Sequence, residues 1–403
     1  MQKPLAGITV LSFETQVAGP YCSMMLADQG AAVIKVEQPG SGDTARAGAP
    51  RIANEAGDQQ SGYFLRFNRN KRSLTLNLKS EAGRQIFRDL ARRSDVVIEN
   101  FRPGLLDEMG LGYGELARDN PGLVYASITG FGSMDGFLGP YSGRPAYDIV
   151  AQAMGGLMAT CGQPGGPPTW LGVALGDIAS GMNAAYAITL ALFQRDQTGL
   201  GQYIDVSMYD TIIGLAERSL TAYALTGTIL ERGREPYMAP WGPFACRDGW
   251  VALIVATERD WGRFCEAIER PDLVGHEGAA SGPERAGSMA GWLGQIVAGW
   301  FSGQTKAEAA QRLLAAGLPA GPVQDAREIH DDPHVQARGT LIDVPDPILG
   351  TVRLVGPPFK LSGSPEPLTM PAPLLGEHSA DILRGMLGYS EKDVTHLRAE
   401  GVI

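Results

Sequence analysis

GITVLSFETQVAGPYCSMMLADQGAAVIKVE, residues Gly7–Glu37, decides the fold class. Gly7–Phe13 is a short, almost unbroken apolar run, the pattern of a strand buried on both faces. Glu14–Pro20 (ETQVAGP) is polar and turn-rich, and reads as a loop. Tyr21–Asp28 has helical composition and closes at Gly30. Ala32–Val36 is a second buried strand, ending at the acidic Glu37. Strand, helix and strand ending on a carboxylate is the layout of a dinucleotide-binding unit. Its phosphate loop is missing, because QVAGP stands where G-x-G-x-x-G would be needed. A nicotinamide-dependent dehydrogenase is therefore a weak reading, and a Rossmann-like sheet serving another chemistry is the better one.

The same alternation continues along the chain. Ser73–Leu78, Asp95–Glu99, Leu123–Thr129 and Gln202–Met208 read as strands, while Ser80–Arg93 and Ala146–Met158 read as helices. The result is an α/β fold: a large Rossmann-like domain with a mostly parallel sheet covered by helices. Ligands in such sheets bind beyond the carboxyl ends of the strands. Here those ends lead into Glu14–Pro20, Asn100–Gly104 and Gly130–Tyr147. Past Met208 the composition changes. Tyr209–Gly227 reads as helical, Arg232–Pro243 as a loop and Trp250–Ala256 as a strand. Arg259–Ile268, Ala286–Phe301 and Lys306–Ala316 read as helices, and Leu318–Val323 (LPAGPV) as a return linker. The expected division is residues 1–208 for the first part of the large domain, 209–325 for a smaller α+β domain, and 326–403 returning to the large one.

The 403 residues carry a net charge of −10, with 44% hydrophobic and 19% charged side chains. That balance is globular and argues against a nucleic-acid or anionic-membrane partner. No apolar run approaches the ~18 residues of a membrane helix. Cys22, Cys161, Cys246 and Cys265 are scattered without metal-type spacing and fit a reducing cytoplasm. The histidines show no zinc pattern, so no metal is expected.

One carboxylate stands out. Leu171–Arg195 reads LGVALGDIASGMNAAYAITLALFQR. Leu171–Leu175 has the look of an extended run broken by Gly176, with a helix from about Ile178 to Gln194. Asp177 then falls at the helix mouth, among unpaired N–H groups. A plain helix cap explains such an aspartate; so does a nucleophilic carboxylate, already ionised at neutral pH.

Several collinear stretches resemble the class III coenzyme A-transferases, the family of formyl-CoA transferase and the carnitine CoA-transferases. They are Val10–Pro20, Ala32–Asp43 (AVIKVEQPGSGD), Asn68–Leu78 (NRNKRSLTLNL), Val97–Gly112, Tyr147–Gly155, Leu175–Gly181, Gly199–Asp210, Gly317–Val323, Asp332–Gly339 and Pro371–His378. The resemblance implies a homodimer of two subunits threaded through each other as interlocked rings. It places the catalytic aspartate at Asp177. It places CoA contacts at Val17, Ala18, Leu76, Asn77 and Lys79, at Asn100, Phe101 and Arg102, and at Tyr147 and Asp148. Gln38 and Glu108 stand where members of the family carry arginines, which puts the hold on the nucleotide in question. Lys71, Arg72, Lys79 and Arg102 are the cations available for it.

The chemistry so implied is CoA transfer from an acyl-CoA to a small carboxylic or dicarboxylic acid, through aspartyl anhydride and aspartyl-CoA thioester intermediates. CoA and acyl-CoA are substrates, and no permanently bound cofactor is required. Backbone N–H groups of Gln16–Gly19 are candidate oxyanion donors, and Gln16 a substrate contact. Arg46 is a candidate partner for the distal carboxylate of a dicarboxylate, with succinyl-CoA as donor. An α-methylacyl-CoA racemase of the same fold is the rival enzyme reading. It pairs the aspartate with a histidine where this chain has Tyr147, a poor base at neutral pH. A non-catalytic CoA-binding protein is the other alternative.

Overall fold

The computed structural model describes residues 3–364 and 366–403. Six parallel strands form the main sheet: β1 (Thr9–Phe13), β2 (Ala32–Glu37), β3 (Lys71–Thr75), β4 (Val96–Glu99), β5 (Val124–Thr129) and β6 (Tyr203–Ser207). They lie in the order β3-β2-β1-β4-β5-β6. This is the doubly wound order, whose direction of winding reverses between β1 and β4. Alternate residues face opposite sides, so two cores form. Leu11, Ile34, Leu74 and Val97 pack with Ile86, Phe87 and Leu90 from the helix Glu81–Ala91. Val10, Val33, Ile98 and Ile128 pack with Cys22, Leu26, Ala184 and Ile188 on the other face.

Four helices position the site: α1 (Ala18–Asp28), α2 (Gly62–Asn68), α3 (Asp148–Met154) and α4 (Leu175–Thr198). The long helix α4 starts earlier than its sequence suggests. Leu175 and Gly176 are already helical, so Leu171–Leu175 is not a strand and Gly176 is not a break. The Gly after Thr198 ends the helix, at φ 74°. The expected helix Ala146–Met158 is divided into α3 and Leu157–Thr160 around Gly155–Gly156, where Gly156 takes φ 89°. Helix α2, absent from the sequence reading, begins at Ser61, whose hydroxyl accepts from the Phe64 N–H.

The chain separates into two compact units. The first comprises Met1–Ala159, Thr169–Glu217 and Ala337–Ile403, and the second Thr160–Pro168 and Arg218–Gln336. The first border lies beyond the one drawn at 208/209, because the helix Met208–Leu215 packs onto α3 through Met208, Ile212 and Ala151; the return lies at 336/337 where 325/326 was drawn. In the second unit, Trp241–Cys246, Gly249–Ile254 and Ala320–Pro322 form an antiparallel sheet. LPAGPV is thus partly a strand and not a plain linker, and the Arg232–Pro243 loop ends inside another strand. Among the described residues no helix is long and apolar enough to cross a membrane, and no group of three or more His, Cys, Asp or Glu side chains could hold a metal ion.

Candidate active site

The winding of the sheet reverses between β1 and β4, so the loops that follow these strands diverge and leave a crevice. Asn100, just past β4, ties the two loops together: its Oδ1 accepts from the Thr15 N–H (2.9 Å) and its Nδ2 donates to the Thr15 carbonyl (2.9 Å). Gln16 sits in the left-handed region at φ 66°, and its N–H donates to Asp43 Oδ1 (3.1 Å). That turn starts α1, at whose head the N–H groups of Val17, Ala18 and Gly19 have no acceptor among the described residues. Gly19 is required here, since a Cβ would come within 2.8 Å of Glu14 and 3.0 Å of Asn100.

A buried charge network stiffens the crevice floor. Lys35 pairs with Asp43 (2.9 Å), and Lys71 with Glu14 (2.9 Å). Burial disfavours charge on Asp43, yet Lys35 and the donors around it hold its carboxyl down to about 2. Burial dominates at Lys71 and lowers its ammonium to about 8 despite Glu14. Lys71 is therefore a framework residue and not a cation free for a nucleotide.

Helix α4 brings Asp177 to this crevice. Gly181, one turn further on, lets the helices touch: a Cβ there would lie 2.7 Å from the Ala18 carbonyl and 3.2 Å from the Cys22 N–H. Val17, Met24 and Phe67 pack with Tyr21, Tyr63, Ala174 and Ile178, so the heads of α1 and α4 share one cluster with α2.

The helix cap is not Asp177. Asp177 is the third residue of α4, and the residue before the helix, Ala174, has no side-chain cap. Asp148 does that work from α3. Its Oδ1 accepts from the Gly176 N–H (2.6 Å), and its carboxylate also receives Gln152 Nε2 (2.8 Å) and Trp170 Nε1 (3.2 Å). Asp177 accepts no hydrogen bond from any described residue and makes no ion pair. Its desolvation, then the negative charge of Asp148, push its carboxyl up to about 7, against a smaller opposing effect of Arg66. The expectation of an aspartate fully ionised at neutral pH is corrected accordingly: Asp177 titrates there.

The remaining candidates divide by accessibility. Val17, Ala18 and Leu76 have buried side chains, so only their backbone is open to a ligand. The Asn77 N–H donates to the Val402 carbonyl (2.8 Å) and its Oδ1 accepts from the Lys79 N–H (3.1 Å). Phe101 stacks on Phe13 at 4.3 Å. Arg102 forms a surface fork with Glu108, its Nη1 donating to Oε1 at 2.8 Å, so it is not a free cation. Lys79, Gln38 and Tyr147 are exposed, and Arg72 is partly so. The Gln16 side chain donates to Thr44 Oγ1.

Arg46 is not placed for the role expected of it. Its Nε and Nη2 donate to the two oxygens of Glu37 (2.7 Å each), its Nη1 to the Pro373 carbonyl (3.1 Å), and its plane lies 3.8 Å over Phe64. The residue that sequence reasoning missed is Arg66. It lies in α2, inside the apolar run YFLRF, and its isolated charge in that run was the available signal.

The sequence matches the family described as CoA-transferase family III over residues 5–379. This chain belongs to CoA-transferase family III. It is 38% identical over 389 residues to the succinyl-CoA:mesaconate CoA-transferase of Haloarcula hispanica, covering 94% of this chain and 95% of that one. It is 36% identical over 426 residues to the formyl-CoA:oxalate CoA-transferase of Streptomyces avermitilis, covering both chains in full. The crystal structure of a CaiB/BaiF family protein from Brucella suis superposes with a TM-score of 0.85 at 34% identity, over 96% of this chain and all of that one. The protein is a class III CoA-transferase, and CoA thioesters are the substrates of that class.

Proposed function

We propose that this CoA-transferase moves CoA from succinyl-CoA to a small dicarboxylic acid, with Asp177 as the nucleophile. The observation that carries this reading is the state of Asp177: half-buried, free of hydrogen bonds and poised near neutrality, beside the open N–H groups of Val17–Gly19. A structural aspartate looks different, as the saturated Asp148 demonstrates.

The Asp177 carboxylate attacks the thioester carbonyl. The C–S bond breaks, CoA leaves as thiolate, and an aspartyl–succinyl anhydride remains. The thiolate attacks the Asp177 carbonyl, expels succinate and forms an aspartyl-CoA thioester. The acceptor carboxylate displaces the thiolate to give a second anhydride. The thiolate then attacks the acceptor acyl carbon, which yields the new acyl-CoA and returns the Asp177 carboxylate. Each tetrahedral oxyanion needs donors, and the Val17, Ala18 and Gly19 N–H groups are unclaimed for this. Gln16 is excluded as a backbone donor because Asp43 holds its N–H. The exposed Lys79 and Tyr147, together with the backbone at Leu76, Asn77, Asn100 and Phe101, are assigned to CoA. Two subunits are assigned to the working enzyme.

The test is a transfer assay in which succinyl-CoA is mixed with a panel of dicarboxylic and monocarboxylic acids and new acyl-CoA is followed by mass. Acceptor-dependent product, lost in Asp177→Ala, supports the reading. No product across the panel, with CoA still bound, favours a CoA-binding protein without transferase activity. Deuterium uptake at the α-carbon without transfer favours the racemase.

A further inference from the structure

The strongest unexplained feature beside Asp177 is a cation without a counter-charge. Arg66 sits on α2 with its guanidinium 4.0 Å over the Tyr63 ring and 4.5 Å over the Phe67 ring. Its Nε is buried and has no hydrogen-bond partner. No carboxylate among the described residues lies within ion-pair distance of it, and Asp177 is no exception. The buried arginines of this unit behave otherwise: Arg69 is forked onto Asp28, and the less buried Arg46 onto Glu37. Arg66 as a whole is half-buried, yet this one donor is shut away from water and unpaired, a cost that an anion reaching the guanidinium would relieve. The two rings fix its plane, and a fixed planar fork suits a carboxylate in particular. Tyr63 and Phe67 pack in the cluster that contains Ala174 and Ile178 at the head of α4, which puts the Arg66 side chain on the Asp177 side of the crevice.

We propose that Arg66 binds the distal carboxylate of the acyl group held on Asp177, and so selects dicarboxylic over monocarboxylic substrates. The inference rests on the transferase reading above and assigns to Arg66 the part that Arg46 cannot play. The geometry is consistent with a short dicarboxylate, since Arg66 stands beyond ion-pair contact with Asp177 yet close enough for its charge to act there. The thioester or anhydride end meets Asp177, and the free carboxylate end completes the guanidinium.

The experiment follows the first half-reaction, release of CoA with labelling of the protein, using succinyl-CoA and butyryl-CoA. These acyl groups have equal chain length and differ in the distal carboxylate. The wild-type protein should prefer succinyl-CoA, and Arg66→Gln should lower the succinyl/butyryl ratio of labelling efficiency about 10- to 100-fold, the range of one desolvated charged hydrogen-bond pair. Arg66→Lys keeps the charge without the fork and should give an intermediate ratio; it also serves if Arg66→Gln does not fold. A wild-type ratio retained in either variant overturns the Arg66 assignment while the transferase reading stands. A wild-type protein labelled by neither thioester overturns both.

Discussion

At the scale of single residues, two aspartates about a helix head have opposite fates. Asp148 spends its oxygens on Gly176, Gln152 and Trp170, while Asp177 has none of these partners and meets the charge of Asp148 instead. Attack requires the ionised carboxylate, so the rate of protein labelling by acyl-CoA should rise as pH passes through about 7. Arg66→Gln removes a cation that favours ionisation and should move that rise to higher pH. The same burial has a stability cost of definite sign. The folded protein binds the Asp177 proton more tightly than the unfolded chain, so stability is lost as pH rises from the unfolded value near 4 toward 7. Asp177→Asn should therefore be more stable than the wild type by about 1–3 kcal/mol at pH 8, and nearly equal to it at pH 4, as read from denaturant melts. A carboxylate at the mouth of an Ala-rich helix could be picked out in the sequence. Its protonation state could not, because the burial that chiefly raises it, and the approach of Asp148 that adds to it, are tertiary facts.

At the scale of elements, the site depends on α1 and α4 touching where side chains are absent. Gly181→Ala adds a Cβ 2.7 Å from the Ala18 carbonyl, a backbone atom that cannot swing aside. Helix propensity favours the alanine by about 1 kcal/mol, but the clash should outweigh it and leave a net loss of about 1–3 kcal/mol in thermal or denaturant melts. The displaced head of α1 should lower transfer activity as well. Asp148→Ala strips the cap from α4 and leaves the Gly176 and Trp170 donors unmatched, while Gln152 Nε2 keeps only the Val173 carbonyl (3.0 Å). A loss of about 2–3 kcal/mol is expected on denaturation. The strands and their order were legible because parallel strands buried on both faces read as apolar runs, as in VVIE and VYASIT. The head of α4 was misread because VAL before Gly176 resembles a strand, whereas Asp148 accepts the N–H of Gly176 and lets the helix start at Leu175. The short helix α2 was missed because its seven residues make barely two turns, too few for a helical pattern to stand out from a strand or loop.

At the scale of the whole molecule, α4 is inverted relative to a helix on an ordinary monomer. Its small residues Gly176, Ser180, Gly181, Ala184, Ala185 and Ala191 face inward with Ile188 and Leu192. Met182, Tyr186, Leu190 and Phe193 face outward, with Tyr186 and Phe193 each 67% exposed. A continuous stripe of large apolar side chains is the mark of an interaction surface, and the proposed homodimer would cover it. Light scattering should give a mass near twice 42.8 kDa. Tyr186→Glu with Phe193→Glu should shift it toward a single chain, and an unchanged dimer would place the interface elsewhere.

The central claim is that Asp177 becomes covalently acylated. Mass spectrometry of the protein incubated with succinyl-CoA and trapped with hydroxylamine or borohydride tests it directly. The account predicts a modification confined to the Asp177 peptide and absent from Asp177→Ala. An unmodified Asp177 peptide from a protein that still transfers CoA would contradict it.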